Sequence, residues 1–208
     1  MNLIKFTMML LILVPGMTVA QDSKFRKYQH STSMDVITGN SYARGCYNAA
    51  GVAARIHYTS RKEIDQCDMA LNYGAMSLRD RAATLTNRGL IYMALESYDE
   101  AIADYSNALK LKPEFGEIHV NIGNVYYLGK VFDKAIEEYT EAIELETTKI
   151  HIAHINRGMA YESLGDFDNA ETDYRAAAAL FPEAALPQVR LDQLLRKKEK
   201  QLEGIESS

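Results

Sequence analysis

Apolar and polar positions alternate along this chain with a period close to that of an α-helix, and the helical pattern itself recurs. Gly89, Gly123 and Gly158 each precede a tyrosine by three residues (Tyr92, Tyr126, Tyr161). Each is then followed in step by an aromatic (Tyr98, Phe132, Phe167), an alanine (Ala101, Ala135, Ala170), a tyrosine (Tyr105, Tyr139, Tyr174) and a second alanine (Ala108, Ala142, Ala177). The glycines stand 34 and then 35 residues apart. A repeat of this length means stacked helical hairpins, each burying its apolar side against the next. The spacing predicts helices over about 82–95, 98–111, 116–129, 132–145, 151–164 and 167–180. Pro113 and Pro182 close two of the three repeats, and Thr147 stands where the second proline would be.

Upstream, an alanine-rich run from Tyr42 to about Ile56 and a second run from Arg61 to Tyr73, behind a Thr59-Ser60 cap, predict an atypical hairpin. Four extra residues separate that hairpin from the regular array near Met76-Ser77-Leu78. Downstream, Leu186 to Leu202 reads as a final helix with Leu191, Leu194, Leu195 and Leu202 on one side and Arg196, Lys197, Lys198 and Lys200 around the rest. It suits a solvating cap on the last repeat.

The first 20 residues follow the pattern of a cleavable export signal. Lys5 is followed by an apolar stretch to Val14, Pro15-Gly16 breaks it, and Thr18-Val19-Ala20 offers a cut before Gln21. Residues 21–40 are polar and read as a flexible leader. The expected organisation is therefore signal peptide 1–20, leader 21–40, atypical hairpin 41–78, three repeats over 79–184 (82–115, 116–150, 151–184) and a capping helix with tail over 185–208. No membrane span is expected after cleavage, and the expected location is periplasmic or secreted. Composition adds little: 47% hydrophobic and 25% charged residues are ordinary for a globular domain. The formal charge of −5 argues mildly against a nucleic-acid surface. Export changes the reading of Cys46 and Cys67, the only two cysteines. In an oxidising compartment such a pair tends to close, and the loop would contribute about 3 kcal/mol. Two inert thiols or a redox pair are the alternatives.

On the residues set out above, the chain resembles the tetratricopeptide repeat family over about 82–184. The resemblance implies an all-α fold, a right-handed α-solenoid of helical hairpins with a C-terminal capping helix. The tryptophan that often opens such a repeat is replaced by Leu85, His119 and His154. The segment Arg79 to Gly89, together with the cysteines, also looks like small exported repeat proteins of Gram-negative bacteria, which bears on location alone.

In that family the first helix of each hairpin lines a concave groove. The resemblance thereby implies a peptide-binding groove of Thr86, Asn87, Leu90, Met93, Val120, Asn121, Asn124, Tyr127, Ile155, Asn156, Met159 and Glu162. Asn87, Asn121 and Asn156 recur two residues before each glycine. An asparagine carries a donor and an acceptor, so it matches a peptide backbone without reading its sequence. Tethering of neighbouring helices by the same side chains is the competing reading. A clamp for a C-terminal carboxylate, as in chaperone-binding members, is not expected, because its basic positions hold Thr86, Ile152 and Asn156. Arg88 and Arg157 lie one position further round, where packing or salt bridging is expected.

Chemistry has few candidates. His151, His154 and His119 are not expected to hold a metal, and His119 and His154, at the tryptophan position, read as fillers of a repeat interface. Asp99, Glu100, Asp104, Glu137, Glu138, Glu141, Asp168, Glu171 and Asp173 lie on second helices and are expected to be solvated. No phosphate loop, nucleophile elbow or dinucleotide fingerprint is present. The expected function is a non-enzymatic adaptor that takes a peptide or protein segment, with no metal and no cofactor. A self-associating scaffold of the cell envelope is the alternative, with a homo-oligomer left open.

Overall fold

A computed structural model describes residue 34, residues 41–56 and residues 59–206. The expected signal segment and most of the expected leader lie outside the described residues, as does the side chain of Leu202. Among the described residues the structure is all helical: α1 (Ser41–Ile56), α2 (Arg61–Tyr73), α3 (Leu78–Ala94), α4 (Tyr98–Leu111), α5 (Gly116–Leu128), α6 (Phe132–Glu144), α7 (Ile150–Leu164), α8 (Phe167–Leu180) and α9 (Ala185–Glu206). Consecutive helices pack as antiparallel hairpins, and α3, α5 and α7 also touch one another in sequence order, so the first helices of the repeats form one continuous wall.

The second helices bury a single stripe. Ala101, Tyr105 and Ala108 of α4, Ala135, Tyr139 and Ala142 of α6, and Ala170, Tyr174 and Ala177 of α8 are all 1% exposed or less. These positions share one helical face, with the remainder left to water. The wall helices differ because they have neighbours on both sides. On α5, buried residues run almost unbroken from Val120 to Val125. The recurring glycines explain how the two kinds of helix meet. A Cβ at Gly89 would lie 2.6 Å from Cε1 of Tyr105, at Gly123 2.5 Å from that of Tyr139, and at Gly158 2.8 Å from that of Tyr174. Each tyrosine ring therefore rests directly on the glycine of its own repeat, in space that no side chain could share.

The turn between the helices of each repeat places the seventh residue after the glycine in the left-handed region. The φ values are 60° at Glu96, 60° at Lys130 and 81° at Gly165. Only the third repeat has a glycine where the backbone asks for one. In the second, Gly129 sits one residue early, at φ −74°.

Two junctions depart from or sharpen the sequence expectation. The four extra residues ahead of the array are not a loop. Ser77 caps α3, accepting from the Asp80 N–H, and α3 begins one turn early at Leu78. The Arg81 side chain on that added turn donates to the Leu71 carbonyl at 3.0 Å, locking it to the end of α2. In the first hairpin, Ser60 and Glu63 form a reciprocal capping box at the start of α2. Cys46 of α1 and Cys67 of α2 are joined by a disulfide.

At the other end, Leu191 and Leu194 of α9 are buried against α8. Lys198 bonds both Asp168 and Glu171 at 2.7 Å. The last helix is thus a cap seated by an apolar stripe and fastened by its basic side chains. Among the described residues no helix is long and apolar enough to cross a membrane.

Candidate functional site: the wall formed by α3, α5 and α7

The residues expected to line a groove fall into three groups. Thr86, Val120 and Ile155 are interior. Thr86 bonds back to the Ala82 carbonyl, while Val120 and Ile155 join the core clusters between repeats. Leu90 and Met93 are also fully buried, whereas their counterparts in later repeats emerge step by step. Asn124 is 9% exposed, and Tyr127, Met159 and Glu162 are half-buried. The wall is therefore covered at the first repeat and open toward the third.

The three recurrent asparagines have different surroundings despite identical positions. Asn87 is fully buried and grips backbone. Its Oδ1 accepts from the Met34 N–H at 2.9 Å and its Nδ2 donates to the Met34 carbonyl at 2.7 Å. Asn156 instead donates from Nδ2 to Oδ1 of Asn124 at 2.8 Å, tying α7 to α5. At this position the helix-tethering role is the one realised. Asn121 is fully buried on α5 between them.

Asn124 also receives the hydroxyl of Tyr139 at 2.8 Å. In the third repeat Glu162 takes that role for Tyr174, at 3.0 Å. In the first repeat, Leu90 occupies the place of Asn124, and among the described residues the buried Tyr105 hydroxyl has no hydrogen-bond partner. Burial pushes the phenol of Tyr139 well above its ordinary range, and the same cause raises that of Tyr174, reinforced by the Glu162 carboxylate. These hydroxyls stay protonated and act as donors.

Behind the wall lies a set of charged contacts that corrects one sequence expectation. Asp104 and Asp173 are not solvated; they are 4% and 2% exposed. Arg88 holds Asp104 through Nε at 2.8 Å and Nη2 at 2.7 Å, and also reaches Asp68 on α2. Arg157 holds Asp173 through both nitrogens at 2.9 Å and donates to Thr140 at 2.9 Å. The salt-bridging role expected for Arg88 and Arg157 is the one observed. His154 shares Asp173 at 2.8 Å, and His119 pairs with Glu138 at 2.8 Å in the repeat where Ile122 replaces the arginine. Burial by itself would raise the Asp173 carboxyl, but the bonds from His154 and Arg157 prevail and hold it below the usual carboxylate range. These forks fix the second helices to the wall. The signal was present in the sequence: each arginine precedes its aspartate by 16 residues.

Beside Met34, a cleft of about 450 Å³ opens between the α4–α5 and α6–α7 loops, lined by Phe115, Gly116, Glu117 and Leu145 through Lys149. Among the described residues no group of three or more His, Cys, Asp or Glu side chains is placed to hold a metal ion.

Comparison with known proteins bears on the repeat itself. Residues 89–129 match a family model described as TPR repeat, and residues 116–148 and 151–183 match models described as Tetratricopeptide repeat. The human tetratricopeptide repeat protein 6 is 36% identical over 53 residues, 26% of this chain, and the match spans 10% of that protein's length. Among solved structures, the first TPR domain of human RPAP3 aligns with a TM-score of 0.53 at 26% identity, covering 59% of this chain and 98% of that one. The TPR domain of Arabidopsis OM64 aligns at 0.54 and 22%, covering 58% and 99%. The first TPR of Spaghetti (RPAP3) bound to the HSP90 peptide SRMEEVD aligns at 0.54 and 24%, covering 58% and 95%. Residues 89–183 thus carry tetratricopeptide repeats, and the fold is that of a helical repeat solenoid.

Proposed function

We propose that this chain is a non-enzymatic adaptor that binds a segment of another protein along the wall of α3, α5 and α7, and that it works outside the cytoplasm. The observation that carries the reading is the pairing of Asn87 with a peptide backbone through both its donor and its acceptor. A carboxamide used this way supplies affinity without reading sequence, and the half-buried Tyr127 and Met159 further along supply adaptable apolar contact. A solved structure of similar fold holds a peptide, the HSP90 segment SRMEEVD. Thr86, Ile152 and Asn156 at the clamp-type positions argue against a ligand gripped by its terminal carboxylate.

Work outside the cytoplasm is supported by the signal-like N-terminus and by the Cys46–Cys67 disulfide, since such bonds persist in oxidising compartments. Self-association through α9 has less support, because its Leu191 and Leu194 are used within the chain.

The test is binding of the purified chain to an array of unstructured peptides, with Tyr127→Ala/Met159→Ala as the comparison. The adaptor reading expects selective capture of peptides with apolar side chains, lost in the double variant at unchanged helicity. Equal capture by both proteins would sink it. Export is checked separately by a periplasmic reporter fused behind the first 40 residues, which should report only if that segment directs translocation.

A further inference from the structure

We infer that the first-repeat end of the wall is a peptide site already occupied in cis, with Met34 as its resident ligand, so that an outside peptide reaches Asn87 only by displacing it. This rests on the adaptor reading above and adds an occupant and a means of control.

The contact has the form of a ligand contact. One carboxamide takes both polar groups of a single residue's main chain, the N–H at 2.9 Å and the C=O at 2.7 Å, across 53 residues of sequence. A separation of that size is no local turn. The pairing uses nothing peculiar to methionine's backbone, so any residue except proline could replace it. The Met34 side chain adds specificity of a loose kind, packing against the cluster that contains Leu90 and Met93. A thioether chain is unbranched and deformable, so the seat would accept other apolar side chains.

The exposure pattern agrees with occupancy at one end only. Leu90 and Met93, in the cluster against which Met34 packs, are fully buried, while Tyr127 and Met159 are half-buried one and two repeats away. The cleft of about 450 Å³ adjoins Met34 itself, giving a longer ligand room to continue from the same point. A competing peptide should therefore carry a free backbone N–H and an apolar side chain at the residue that takes the place of Met34.

Two measurements on the full chain decide the matter. In the first, amide hydrogen exchange at Met34 should be slowed at least about tenfold against an unstructured chain, as expected for a hydrogen-bonded, partly buried amide. The slowing should vanish in Asn87→Ala. In the second, a labelled synthetic peptide of residues 28–40 is titrated into the full chain. Met34→Pro removes the N–H that Asn87 accepts and lies outside every helix, so helicity should be unchanged. That variant should bind the peptide about tenfold or more tightly than the unaltered chain, because a tethered competitor has been removed. Adding Asn87→Ala to it should abolish binding.

An unprotected Met34 amide, or equal peptide affinity with and without Met34→Pro, would overturn the inference and leave the adaptor reading standing. Conversely, release of Met34 as expected, with array capture indifferent to Tyr127→Ala/Met159→Ala, would remove the adaptor reading and leave an intramolecular latch.

Discussion

The three recurrent tyrosines allow one substitution to be tested with opposite expected signs. Tyr105 and Tyr139 occupy the same position in successive repeats, both at most 1% exposed and each with its ring on a glycine. They differ at the hydroxyl. That of Tyr139 donates to Asn124 at 2.8 Å, whereas that of Tyr105 is buried with no partner among the described residues. Removing a satisfied hydroxyl costs about 0.5–1.5 kcal/mol, while an unsatisfied buried one carries a penalty of about 1–3 kcal/mol. Tyr139→Phe should therefore destabilise by about 1 kcal/mol, softened because Asn124 keeps its bond from Asn156. Tyr105→Phe should stabilise by about 1–2 kcal/mol, since the ring keeps its seat and only the orphan oxygen goes. On a chain of this size that is a rise in Tm of about 2–8 °C. The assay is urea and thermal unfolding followed by far-ultraviolet circular dichroism, with both variants and the parent side by side. Equal losses in the two variants would refute the idea that the hydroxyl's partner sets the sign.

Further expectations concern turns, cross-links and acid. Lys130→Gly should stabilise and Gly165→Ala destabilise, each by about 1 kcal/mol, because both sites require positive φ; unfolding midpoints that move the other way would contradict this. Reduction of Cys46–Cys67, which spans a sequence separation of 21, should lower stability by about 3 kcal/mol, read as a shift in urea midpoint with and without reductant. Asp173 has its folded pKa below the unfolded value, so its contribution is present above about pH 4 and is lost as pH falls through the folded pKa. Asp173→Asn should accordingly flatten the acid limb of a stability-against-pH curve, and an unchanged limb would assign the acid sensitivity elsewhere.

What the sequence makes legible depends on repetition and on distance. The glycine–tyrosine pairing is readable because it occurs three times in step, and the packing it implies is the packing observed. The extra turn of α3 is harder to foresee, since Ser77 reads equally well as loop or cap until Asp80 and Arg81 find their partners. Asp104 and Asp173 mislead because an acidic side chain on a second helix is usually solvated. The constant distance to Arg88 and Arg157 would reveal them, but Ile122 breaks the series in the middle repeat. The asparagines show the limit most clearly. Asn87 and Asn156 are equivalent in the repeat, yet one holds main chain and the other holds Asn124. Which occurs depends on neighbours outside the repeat, and Met34 carries no local mark of its contact with a residue far along the chain.

That contact has a quantitative consequence. Six residues join Met34 to the start of α1, so the occupant of Asn87 is never diluted away. A tether only six residues long corresponds to an effective concentration on the order of millimolar. A rival that engages only this spot starts at that disadvantage whatever its intrinsic fit, and at micromolar abundance it loses. On the adaptor reading, a guest would gain its foothold beside Tyr127 and Met159 first and advance inward, which would make length, rather than any single anchoring side chain, the property under selection.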